Sequence, residues 1–208
     1  VASLIATQRV PHLRLITRHA DRGLTNSLRE GIASARGDIV VWMDCDFSMP
    51  PEVIPRLIAE IDRGYDVAVG SRFVKGGSFK KDLEGTQDSL IAVLLSRFMN
   101  VFIRMMLGFS FKDYTSGFIA IKKSVLVRRE LRGDYGEYFI DLMFHVFLAG
   151  YTVKEIPYVC MPRHTGESKT GSNIWDYSRR GIKYIAVTLR LFAEKIAHRL
   201  RITSTHPR

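Results

Sequence analysis

The sequence predicts an α/β domain with a mostly parallel, Rossmann-like sheet flanked by helices. Three observations carry that expectation. Ile39 to Met43 and Asp66 to Gly70 are short apolar runs bounded by turn residues, as in strands buried on both faces. Between them, Val53, Leu57, Ile58 and Ile61 recur at helical spacing. Upstream, a strand candidate at Leu13–Thr17, a basic glycine loop and a helical pattern repeat the alternation, and strand–helix–strand units join parallel strands.

Taken in order, Val1 to Thr7 resembles the end of an amphipathic helix. After Leu13–Thr17 comes the loop with Arg22 and Gly23, then a helix from Thr25 to Ala35 capped by Thr25 or Asn26. Its stripe is Leu28, Ile32 and Ala35, and Gly37 stops it. The strand Ile39–Met43 then delivers two carboxylates, Asp44 and Asp46, at its carboxyl end, where open α/β sheets bind ligands. Pro50-Pro51 ends any pairing, and Glu52 to Arg63 forms the next helix. Asp66–Gly70 presents Ser71-Arg72, and Val74 to Thr86, rich in Gly and Lys, reads as a mobile loop.

Ser89 to Leu107 is the most apolar stretch, but Arg97 and Arg104 would each cost about 2.5–3.5 kcal/mol at the centre of a membrane span. Arg97, Asn100 and Arg104 share one helical face. The stretch therefore reads as an amphipathic helix docked on the core, with a membrane surface as the rival. Ile119–Ile121, Tyr138–Ala149 and Thr152–Tyr158 continue as strand, helix and strand, and Arg163–Gly171 is a second basic loop. Ile174 to Leu200 is helical, with Ile182, Ile185, Leu189, Phe192, Ile196 and Leu200 as its stripe. The organisation expected is one folded unit over residues 1–172, a helical tail over 173–200 and a disordered end over 201–208.

Composition narrows the partners. A chain of 208 residues supports one domain with a full core. Its 31 Lys and Arg against 21 Asp and Glu, a charge of +10, suit an anionic partner such as a nucleotide sugar, a lipid phosphate or a phospholipid surface. Nucleic acid is not expected, because the aromatic residues do not interleave with cations on a strand face and no recognition motif is present. Cys45 and Cys160 form no metal or redox pattern and read as free thiols of a reducing compartment. Two acids beside Arg72 and the later cations Arg163 and Lys169 are the set a departing diphosphate requires: a cation across its oxygens and guanidinium contacts.

At this point the sequence resembles a known family. DCDFSMPPE, then DVAVGSRF, then DYTSGF, then KEIPY and RHTGESK, in that order over about residues 10 to 172, look like the dolichol-phosphate mannose synthase-like polyprenyl-phosphate sugar synthases. These are family 2 glycosyltransferases of the GT-A fold. The resemblance implies inverting transfer of a hexose, mannose first, from GDP-mannose or UDP-glucose to polyprenyl or dolichyl phosphate. It implies Mg2+ or Mn2+ on Asp44 and Asp46, with Ser48 in the third position. Arg22, Gly23 and Arg72 are then expected to bind the nucleotide sugar. Ser89, Arg163, Ser168 and Lys169 would hold the acceptor phosphate. Asp113 would either orient a cation or cap the Ser116-Gly117 turn, the second being favoured.

The expected location is peripheral, at the cytoplasmic face of a membrane, with or without an anchoring partner. The sequence departs from the family at Ser48, where Gln is usual, at Asp141, where Glu is usual, and before Ser89, where an Arg is missing. The family's opening strand and D-D-x-S segment are also absent, so a catalytically incomplete fragment that binds a membrane or a partner is the alternative of another class.

Overall fold

The computed structural model describes residues 13–17, 19, 23–79, 87–127, 130–161 and 174–204. The elements are α1 (Leu24–Ser34), β1 (Ile39–Trp42), a 3-10 turn (Pro51–Val53), α2 (Ile54–Asp62), β2 (Val67–Ser71) and β3 (Ser78–Phe79). They continue with α3 (Gln87–Leu107), β4 (Ile119–Lys122), α4 (Lys123–Leu126), α5 (Glu137–Leu148), β5 (Val153–Pro157), β6 (Val159–Cys160) and α6 (Ile174–Ser204).

The main sheet has the order β1-β4-β2-β5. β1, β2 and β5 run the same way, as the apolar runs predict, and β4 lies reversed between β1 and β2. Strand alternation sorts the core into two layers. Val67, Val69, Ile119 and Ile121 face α3, α5 and α6, while Ala68, Ala120 and Ile156 face Leu57 and Ile61 of α2. Burying each large side chain fully contributes about 1.5–3 kcal/mol, so these layers dominate the stability.

Several expectations need correction. No strand forms at Leu13–Thr17, whose Leu13, Leu15 and Ile16 are exposed; a short apolar stretch makes no ladder without a neighbour to pair with. Helix α1 starts one residue early, after Gly23 at φ 146°, a backbone state that glycine tolerates. Thr25 is therefore buried inside the first turn rather than capping it. Within the segment read as a mobile loop, Ser78-Phe79 pairs in parallel with Val159-Cys160, so a second, two-stranded sheet closes over this edge. Residues 201–204, read as disordered, continue α6.

Helix α6 corrects the largest expectation. Its inward side chains are Tyr184, Val187, Thr188 and Leu191, while Ile182, Ile185, Leu189 and Ile196 of the expected stripe are exposed. Arg97 and Arg104 of α3 are exposed as expected, but Asn100 between them is buried. Its Oδ1 accepts the Tyr114 N–H at 2.6 Å, and its Nδ2 donates to Thr115 Oγ1 at 2.9 Å. Residues 1–7 lie outside the described residues.

Candidate functional site

Register builds the site. Trp42 of β1 and Val69 of β2 both pair with Ile119 of β4. The carboxyl ends of β1 and β2 therefore flank the amino end of β4, and three loops meet at one sheet edge. They carry Asp44 and Asp46, Ser71 and Arg72, and the segment Asp113–Gly117.

In the first loop Asp44 is exposed and Asp46 half-buried. Asp46 Oδ1 accepts the Ser48 N–H at 3.0 Å, and the Asp44 N–H points to Met49 Sδ at 3.3 Å. Phe47 between them stands at φ 62°, the one non-glycine residue with positive φ among the described residues. Such backbone costs about 1–3 kcal/mol and clusters at ligand sites. Ser48 is buried, and its carbonyl accepts the Met161 N–H at 3.0 Å. Met161 stands two residues before Arg163 in the sequence, so the chain enters the late basic loop from beside the acid turn.

Two carboxylates are hard oxygen donors, suited to Mg2+ or Mn2+. Among the described residues no three His, Cys, Asp or Glu side chains gather around one point. That donor set fits a cation that takes one or two protein carboxylates and completes its shell with substrate phosphate oxygens and water. Above the loop, Trp42 Nε1 donates to the Tyr138 hydroxyl at 3.0 Å. Burial pushes the Tyr138 phenol up, the Trp42 bond pulls it partly back, and the nearby Asp44 charge adds to the rise. Neither residue belongs to a sequence motif, and their contact across 96 positions has no local signal.

Arg72 does not project as a free cation. Its backbone N–H and Nε donate to Asp113 Oδ2 at 2.8 and 2.9 Å, and Nη2 donates to Asp113 Oδ1 at 2.7 Å and Thr115 Oγ1 at 2.9 Å. The guanidinium lies 4.9 Å from the Phe79 ring centroid, and the side chain is 12% exposed. Burial alone would lower its pKa, but the Asp113 carboxylate holds it above the ordinary value. Asp113 thus orients a cation, against the favoured expectation that it caps the following turn. The Lys112 and Asp113 N–H groups donate in turn to Glu155 at 3.0 and 3.2 Å, so β5 fixes the loop that fixes Arg72.

Gly23 is at the start of α1. Ser89 lies in the first turn of α3, its side chain outside the described set. Arg22, Arg163, Ser168 and Lys169 lie outside the described residues.

Residues 2–129 match the family described as glycosyl transferase family 2. The dolichol-phosphate mannosyltransferase of Pyrococcus furiosus is 35% identical over 171 residues, 80% of this chain and 46% of the relative. The polyprenol monophosphomannose synthase of Mycolicibacterium smegmatis is 35% identical over 140 residues, 65% of this chain and 51% of the relative. The chain thus spans about half the length of these relatives. Among solved structures, glucosyl-3-phosphoglycerate synthase of Mycobacterium tuberculosis, in complex with UDP, superposes with a TM-score of 0.58 at 17% identity. That match covers 91% of this chain and 59% of the other, and the same enzyme has also been solved with Mn2+ and UDP. The similarity shows a shared fold.

Proposed function

We propose that this chain, which belongs to glycosyl transferase family 2, carries the catalytic domain of an inverting hexosyltransferase. The donor is a nucleotide sugar, GDP-mannose before UDP-glucose, and the acceptor is a polyprenyl or dolichyl phosphate. The observation that carries this reading is the shared sheet edge. The acid turn, the Arg72–Asp113 pair and the entry to the basic loop adjoin there through the Trp42–Ile119–Val69 register and the Met161–Ser48 hydrogen bond. The names of the relatives support the acceptor class.

The chemistry asks little acid–base work of the protein. A phosphate monoester has a second pKa of about 6, so the acceptor oxygen is already ionised near neutral pH. It attacks the anomeric carbon as the bond to the diphosphate oxygen breaks, and the nucleoside diphosphate departs with the electron pair. Asp44 and Asp46 would hold Mg2+ or Mn2+, which neutralises charge on the leaving diphosphate. Arg72, locked by Asp113, presents a fixed hydrogen-bonding edge and not a mobile charge, which suits preorganised stabilisation of developing charge. Arg163, Ser168 and Lys169 supply the acceptor-side cations and hydroxyl, with Ser89 at the start of α3. Arg22 and Gly23 would bind the nucleotide sugar, and Ser48 would offer a third position beside the metal.

Incubation with polyprenyl phosphate and either labelled GDP-mannose or labelled UDP-glucose tests the reading. Labelled glycolipid is expected, with mannose preferred; label released only as free sugar, with no glycolipid from either donor, refutes the acceptor assignment.

A further inference from the structure

Asn100 lies in the interior of α3 and is 3% exposed. Asn is a poor helix former, and a buried amide is costly unless its hydrogen bonds are met. They are met here. Oδ1 accepts the Tyr114 N–H at 2.6 Å, and Nδ2 donates to the Ser96 carbonyl and to Thr115 Oγ1, both at 2.9 Å. The Tyr114 N–H can only donate and the Ser96 carbonyl only accept, so these backbone groups fix which way the amide faces. Thr115 Oγ1 is therefore an acceptor for Asn100.

The same oxygen accepts Arg72 Nη2 at 2.9 Å. A hydroxyl has two lone pairs and one proton, so with both pairs taken the proton is donated elsewhere. Asp113 Oδ1 stands 3.3 Å away, and its charge favours it over Ser96 Oγ at the same distance. Thr115 thus touches both members of the Arg72–Asp113 pair with a defined polarity. It accepts from the guanidinium and donates to the carboxylate.

That third contact changes what the pair can do. An ion pair held only by its own two side chains can still swing as one body about their torsions. Thr115 is anchored through Asn100 to a separate helix, and a contact of that kind removes the freedom. Asp113 and Thr115 together occupy Nε and Nη2 of Arg72, which leaves Nη1 as the edge of the fork turned to neither.

We propose that Thr115 and Asn100 are positioning residues for sugar transfer. Asn100 orients the Thr115 hydroxyl, and Thr115 sets the direction in which Arg72 presents Nη1 to the leaving diphosphate. The inference rests on the role proposed above for Arg72 at that leaving group. Charge builds on the diphosphate only as the glycosidic bond breaks, so a misdirected guanidinium lowers kcat more than it raises KM for the donor. A contact that merely docked the Asp113–Gly117 segment on α3 would lower stability and leave turnover per folded molecule unchanged.

The test compares wild type with Thr115→Val, Thr115→Ser, Asn100→Ala and the double variant Asn100→Ala with Thr115→Val, each as the full chain. Valine keeps the shape of threonine, and both nitrogens keep a partner, Nη2 at Asp113 and Nδ2 at Ser96. With polyprenyl phosphate and labelled nucleotide sugar, Thr115→Val is expected to lower kcat about tenfold, less than the loss of a direct transition-state donor. KM for the nucleotide sugar and the melting temperature should barely move, and Thr115→Ser should restore the rate. Asn100 acts through Thr115, so the double variant should turn over no more slowly than Thr115→Val per folded molecule. Binding of GDP or UDP with Mn2+, read by calorimetry without acceptor, should weaken about tenfold in Thr115→Val, because the product carries the full leaving-group charge.

Labelled glycolipid from wild type and an equal rate from Thr115→Val overturn the inference and leave the transfer reading intact. So does a loss that Thr115→Ser fails to restore, or one that adds in full to that of Asn100→Ala. Weakened diphosphate binding in Thr115→Val, with no glycolipid from wild type, refutes the acceptor and supports the positioning of Arg72. Wild type that binds neither diphosphate removes both.

Discussion

Arg72 and Asp113, 41 residues apart, meet through three hydrogen bonds at one carboxylate: the Arg72 N–H and Nε on Oδ2 and Nη2 on Oδ1. The Asp113 side chain is fully buried and that of Arg72 nearly so, and removing one member of a buried pair strands the other's charge. Asp113→Ala is expected to destabilise the fold by about 3–5 kcal/mol, read from urea unfolding. The double variant with Arg72→Met should recover a substantial part of that loss, because no unpaired cation remains. A single-variant cost no larger than that of an ordinary surface substitution would contradict the pairing.

His145 predicts how α6 is held. Its Nε2 lies 3.0 Å from Glu194 Oε1 and its Nδ1 3.3 Å from Asp141 Oδ2, while Arg190 of α6 also reaches Asp141. Burial would lower the imidazolium pKa, but the two carboxylates outweigh it and hold it above 6.5. A raised folded pKa contributes stability that is complete below about pH 6.5 and is lost as pH rises through the folded value. The stability difference between wild type and His145→Gln should therefore be largest near pH 6 and shrink at higher pH. Thermal unfolding across that range checks it, and a difference that grows with pH would reverse the assignment.

Glu137 carries the opposite lesson for an acid. Burial pushes its carboxyl up, helped by Asp134, whose own carboxyl is held down to about 2 by its hydrogen bond with Glu137 and then by Lys183. Glu137 Oε2 is buried without a partner among the described residues. The favourable protonated state is present below about pH 4.5 and lost as pH rises through the raised value. Glu137→Gln keeps an acceptor for the Asp134 N–H, so it is expected to be neutral or stabilising at pH 7 and to lose that advantage near pH 4. Melting temperatures at the two pH values decide, and clear destabilisation at pH 7 would contradict the burial argument.

These contacts mark where the sequence was legible. β1 and β2 could be read because continuous apolar runs survive any choice of neighbours, and the carboxylates Asp44 and Asp46 announce themselves by following one. The reversal of β4 could not, because strand direction depends on which edges lie on either side. β3 and β6 are two residues each, too short to show a period.

Helix α6 misled for a different reason. It has two apolar faces, and periodicity finds the longer stripe, whereas burial follows the partner surface. The Arg72–Asp113 and Trp42–Tyr138 contacts join positions with no shared local pattern, so only the folded chain reveals them. Of the residues proposed for the acceptor phosphate, Ser89 is described through its backbone alone, while Arg163, Ser168 and Lys169 lie outside the described residues.

The most direct test of the central claim is metal-dependent transfer of labelled hexose to polyprenyl phosphate, with Asp44→Ala and Asp46→Ala beside wild type. Glycolipid is expected from wild type with Mg2+ or Mn2+, and none with EDTA or from either variant. Product that persists in EDTA, or at an unchanged rate in either variant, would contradict the assignment of Asp44 and Asp46 as the metal-binding pair.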